Sequence, residues 1–138
     1  MPAMPTTAQW VDAWQALTIS GVTVLSTPPL SLNTAQLPAA WPELPGTSQN
    51  TLLVSCINEN KARRMVFQVA IEPIGQVTQA GNYEAVIPFF DLLEAAIEGM
   101  RGVTVNFIDY EISMVADIQL AKTIYWGLRV DAIGRNIR

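Results

Sequence analysis

The chain has 138 residues, half of them hydrophobic and 14% charged, with a net charge of −4, a single cysteine and no histidine. Missing histidine excludes Ser-His-Asp and Cys-His nucleophile systems and imidazole metal sites. The eight Lys and Arg form no basic run, so the electrostatic footprint of a nucleic-acid binder is lacking.

A chain of this length is expected to fold as one domain, 1–138, that needs no metal or disulfide staple. Its charged share lies well below the typical value of roughly 25%. The apolar surplus either fills a core or serves a subunit interface. A folded surface of roughly 7,000 Å² would lose just over a fifth to two contact patches of about 800 Å² each. Cys56, within the apolar run Thr51 to Ile57, reads as a buried small hydrophobe. The N-terminus shows no leader pattern and no stretch approaches the ~20 apolar residues of a membrane span, so a soluble, cytoplasmic product is expected.

In chain order, Thr6 and Thr7 are candidate N-caps for an amphipathic helix carrying Trp10, Val11, Trp14 and Leu17 at helical spacing. Its tryptophans suit either a core or an interface. Gly21 ends this helix, and Val22-Thr23-Val24-Leu25 is a β-branched strand. From about 26 to 50, Pro28, Pro29, Pro38, Pro42 and Pro45 predict one long loop, because each proline fixes φ and removes a donor. The loop carries Leu30, Leu32, Leu37, Trp41 and Leu44, so it packs on its own domain or on a neighbouring subunit.

Thr51 to Ile57 and Arg64 to Glu72 predict a hairpin turning at Asn58 to Lys61. In its second strand Met65, Phe67, Val69 and Ile71 share one face and Val66, Gln68, Ala70 and Glu72 the other. A helix beginning near Pro88 and ending at Gly99 to Gly102 buries Phe89, Phe90, Leu93, Ile97 and Met100. Two long strands follow, Val103 to Ser113 and Ile118 to Ile133, joined through Met114 to Asp117. In the last, Ile118, Leu120, Ile124, Trp126, Leu128 and Val130 alternate with Gln119, Thr123, Tyr125, Arg129 and Asp131. The order predicts an α+β fold: a mostly antiparallel or mixed sheet with two helices packed on one face.

Signals for chemistry are few. Neither a Walker-type loop nor GxGxxG follows a strand, and Gly99-Met100-Arg101-Gly102 lies after a helix, the wrong end for an anion. Asp109 and Glu111, two apart on a strand, point the same way with Cα atoms ~6.6 Å apart. They suit a solvated or interface face, an ion site, or acid–base work by a small-ligand-binding module. No catalytic residue, cofactor or metal is assigned.

The helix Trp10-Val11-Asp12-Ala13-Trp14-Gln15-Ala16-Leu17 runs into Gly21-Val22-Thr23-Val24-Leu25. The connection through Pro28-Pro29-Leu30-Ser31-Leu32-Asn33, Leu37-Pro38 and Trp41-Pro42 follows, then hairpin, helix and closing strands. This arrangement resembles the tail-terminator and tail-completion proteins of long-tailed bacteriophages. The resemblance implies a virion protein, assembled in the host cytoplasm, whose copies form a ring, often of six. Such a ring caps the tail tube and supplies the head-joining surface. Implied partners are other copies of the chain, the tail tube protein and a head-completion or neck protein; no tight nucleic-acid binding and no membrane are expected. Another connector, neck or minor tail protein is the structural alternative. Candidate subunit or partner contacts are Leu30, Leu32, Trp41 and Leu44 of the loop and Tyr125 and Arg129 of the last strand.

Overall fold

A computed structural model describes residues 6–43, 52–57, 60–73, 79–100 and 107–135. Helix α1 (Thr7–Gln15) starts where the Thr6 side chain accepts from the Gln9 backbone N–H and the Gln9 side chain accepts from the Thr6 N–H, a reciprocal cap. Strand β1 is Thr23–Val24, β2 Ala39–Glu43, β3 Leu52–Ile57 and β4 Asn60–Pro73; helix α2 is Gln79–Glu98, and strands β5 (Phe107–Leu120) and β6 (Thr123–Arg135) close the chain. These make an α+β fold with one six-stranded mixed sheet, ordered β1-β2-β4-β6-β5, with β3 beside β4. Among the described strands only the β1–β2 pair is parallel.

Both helices cover one sheet face. There β4 contributes Met65, Phe67, Val69 and Ile71 and β6 contributes Trp126, Leu128, Val130 and Ala132, packed with Trp10 and Trp14 of α1 and Val86, Leu93 and Ile97 of α2. Trp10 and Trp14 meet edge to face at 5.6 Å and are fully buried, so these tryptophans are core. Gly134 of β6 lies under Trp10; a Cβ there would stand 2.6 Å from the ring.

The predicted elements shift in five places, the first being α1, which ends at Gln15 rather than running through Leu17 to Gly21. Residues 26–50 are not all loop: Ala39–Glu43 is a strand, with Pro42 beyond the stretch that β1 covers, so its missing N–H breaks no described ladder. The first hairpin's second strand begins at Asn60, earlier than Arg64. Helix α2 begins at Gln79 and carries Pro88 inside it, at the exposed side beside Ile87, losing one i→i−4 bond without ending.

The closing turn is Ala121–Lys122, not Met114 to Asp117, because Ala121 adopts a left-handed φ of 52° that lets Leu120 pair with Thr123. Residues Val115 to Ile118 are instead a β-bulge, with β5 one residue longer than β6 between the pairs Val115↔Gly127 and Ile118↔Tyr125. The bulge changes the parity of β5. The turn pairs Leu120 with Thr123 and Ile118 with Tyr125, so these two join Tyr125 on the opposite face instead of Trp126, Leu128 and Val130, and the bulge lets them do so while Ile112 and Met114 keep to the helix face; Ile124 is exposed. The side chain of Cys56 lies outside the described residues.

Candidate functional site

The face away from the helices has a small apolar patch at one end and a polar floor beside it. In the patch, Ala39, Trp41, Ala70, Ile118 and Tyr125 are buried, with Leu25, Leu32 and Leu37 of the connection packed on them. The Tyr125 hydroxyl donates to the Leu32 carbonyl at 3.4 Å, which ties the connection down. That part of the Pro-rich loop packs on its own domain.

The polar floor follows from register. Gln68 pairs with Trp41 on one side and Arg129 on the other, so three strands bring their side chains into one row. Glu43 and Gln68 are both buried. The Glu43 carboxylate accepts from Trp41 Nε1 at 3.2 Å and from Gln68 Nε2, and Gln68 Oε1 accepts from Arg129 Nη2 at 3.3 Å. Arg129 Nη2 also donates to Asp117 Oδ1 at 2.8 Å, where the β5 bulge presents that carboxylate. One strand turn away Arg64 grips Asp131 with two bonds, Nε–Oδ1 at 2.8 Å and Nη2–Oδ2 at 2.5 Å.

Pro28, Pro29 and Leu30 on one side and Gln119–Ala121 on the other wall this floor into a groove of about 670 Å³. A shallower depression of about 520 Å³ runs on past Arg64 and Asp131 to Asp109 and Glu111. Among the described residues no group of three or more Cys, Asp or Glu is placed to hold a metal ion. The row neutralises itself: each arginine named here meets a carboxylate, and the buried carboxylate meets two donors. Such a surface offers shape and fixed hydrogen bonds more than a poised acid or base.

The Asp131 hydrogen bond, opposed by burial, holds the Arg64 guanidinium above its ordinary value. A raised pKa on a cation gives stability that is complete below the unfolded value and lost as pH rises through the folded one, so this contribution of Arg64 is present across the neutral range. The side chains of the pair are 31% and 42% exposed, so solvent discounts the contact. Arg64→Ala is expected to lower unfolding free energy by about 1 kcal/mol in urea titrations, and less at high salt.

No family model matches this chain, and neither does any curated protein. Placement of the predicted contact residues is therefore read from geometry. Trp41 and Tyr125 are 0% and 4% exposed, inside the chain's own second core, and so present no contact surface. Leu32 is half-buried in the same patch, whereas Leu30 stands 92% exposed on the groove wall. Arg129 lines the groove, and Leu44 lies outside the described residues. Asp109 and Glu111 do share the groove face.

Arg64, Glu43 and the pairing of Arg64 with Asp131 were not legible as a site. Alternation put Gln68 and Asp131 on polar faces, but which strands adjoin is not written in either strand. Among the described residues no helix is long and apolar enough to cross a membrane.

Proposed function

We propose that this chain is a structural, ring-forming virion subunit of the tail-terminator type. It would cap the tail tube of a long-tailed phage and offer the surface that joins tail to head. The observation that supports this reading is the sheet edge along Glu111–Leu120, where β5 is paired to β6 alone among the described strands. Strands in globular proteins run about 5–6 residues and natural edges are kept short, so a long edge with no described neighbour suits the approach of another chain.

A self-satisfied polar groove and an exposed Leu30 beside it fit an interaction surface. The low charged share and absent histidine point the same way. The resemblance in element order supplies the phage context.

Sedimentation of the native chain is expected to show a ring-sized species, alone or on tail tubes; a strict monomer in both settings sinks the reading. Particles lacking the protein are expected to carry overlong tails. Headless tails of normal length would point to a neck connector instead. A ligand-binding module using the Asp109 and Glu111 depression predicts that changing both to Ala abolishes ligand binding and spares assembly.

A further inference from the structure

The groove between Pro28–Leu30 and Gln119–Ala121 contains an arginine held from behind. Glu43 and Gln68, each more than nine-tenths buried, stand in file with Arg129: the Glu43 carboxylate accepts from the Gln68 amide, and the amide oxygen accepts from Arg129 Nη2. Two polar side chains are thus buried to fix the aim of a third, and their mutual bonds offset the cost of burying them. Arg129 bonds Gln68 and Asp117 through Nη2 alone. Its Nε and Nη1 make no hydrogen bond among the described residues and are not buried, so they stand open to the groove. Asp117 accepts with Oδ1, and its side chain is 68% exposed.

We infer that this groove is a binding site for an uncharged, hydroxyl-rich ligand of the class of neutral saccharides. A hydroxyl both donates and accepts, so two adjacent hydroxyls take a bond from Arg129 and give one to Asp117 without parting the pair. A charged group finds no such place. Arg129 is matched by Asp117 and Arg64 by Asp131, so an ionic ligand has to break one of these pairs and strand a partly buried guanidinium. An extended peptide lacks its usual foothold as well. Strands β4 and β6 are paired on both sides, so the floor offers no main-chain groups.

Shape favours a chain of rings over a single one. The groove of about 670 Å³ runs on into the shallower depression, and Arg64 and Asp131 line both. Arg129 and Asp131 are two apart on β6 and share a face, which spaces the two Arg–Asp pairs by roughly 6.6 Å along the strands. Repeated donor–acceptor pairs suit a ligand that repeats its hydroxyls. Pro28, Pro29 and Leu120 supply apolar wall for its C–H faces.

The full-length protein is titrated calorimetrically with uncharged trisaccharides (maltotriose, cellotriose, triacetylchitotriose), a galacturonate trimer, trilysine and a capped triglycine amide. At least one uncharged trisaccharide is expected to bind and to shift the Arg129 Nε–H resonance in NMR spectra. Its affinity is expected to change by less than about twofold between low and high salt. Arg129→Gln and Asp117→Ala are each expected to weaken it about tenfold or more with unchanged circular dichroism.

Preferential binding of the galacturonate trimer or trilysine overturns the proposal, and so does binding of the capped triglycine in place of the saccharides. A saccharide that binds Arg129→Gln as well as the parent, or no saccharide binding at all, overturns it too. None of these results bears on ring formation, which sedimentation reads separately.

Discussion

Gly127→Ala is expected to cost more than about 3 kcal/mol of unfolding free energy, enough to leave the protein barely folded. A Cβ at Gly127 would lie 1.9 Å from the Val69 carbonyl oxygen and 3.2 Å from the Ile71 nitrogen. Those are backbone atoms of the neighbouring strand, so no rotamer change relieves the clash. They crowd Gly127 because β4 bulges there, with Ala70 paired to Gly127 but Glu72 already paired to Trp126.

Strand β5 bulges beside the same pair of residues, so both neighbours of β6 bend at one level. This double bend sets Asp117 against Arg129, next to the Ile118–Tyr125 pair. The substitution therefore threatens the groove as well as the fold. Gly99→Ala is the control, since its Cβ would meet nothing closer than the Ala96 carbonyl at 3.4 Å. It should stay within about 0.5 kcal/mol of the parent in urea titrations. Equal losses in the two variants would contradict the placement of the bulge.

The β5–β6 turn and the bulges also explain what the sequence does and does not reveal. Alternation in 65–71 and 126–132 found the helix-covered face, since a period of two survives wherever a strand is regular. It fails at Ile118 and Leu120, because the tight turn at Ala121–Lys122 folds them back onto Tyr125 and Thr123 without leaving a mark in composition. Met114 to Asp117 resembles a turn because the bulge there interrupts the alternation. Proline misled twice in the same manner: Pro42 sits on a strand beyond its neighbour's reach, and Pro88 inside a helix that continues through it. In both cases tertiary packing outweighed a local preference.

The candidate site was partly visible. Gln68, Arg129 and Asp131 were assigned to polar faces, and Asp109 with Glu111 to one face, but the Glu43–Gln68–Arg129–Asp117 row joins β2, β4, β6 and β5. That adjacency comes from strand order alone. No local signal in the chain encodes it.

Trp41→Ala separates a fold role from an interface role at the residue where the two readings diverge. An aromatic anchor at a subunit contact would cost binding energy on truncation and leave the subunit intact. The structure places Trp41 at 0% exposure in the second core, packed with Ala39, Ala70, Ile118 and Tyr125. Truncation should therefore cost the subunit about 3–5 kcal/mol through lost burial and the cavity left behind. It also withdraws the Nε1 donor, 3.2 Å away, from the Glu43 carboxylate.

Trp41→Phe loses less of the packing, because it keeps an aromatic ring while removing the donor and part of the indole volume; its loss should be about 1–3 kcal/mol. Denaturation is measured at several protein concentrations, so that subunit stability and association are read separately. A fully stable Trp41→Ala subunit that no longer self-associates would return Trp41 to the interface and undo the second core. Loss of stability at every concentration, larger in Trp41→Ala than in Trp41→Phe, is the result that this packing requires.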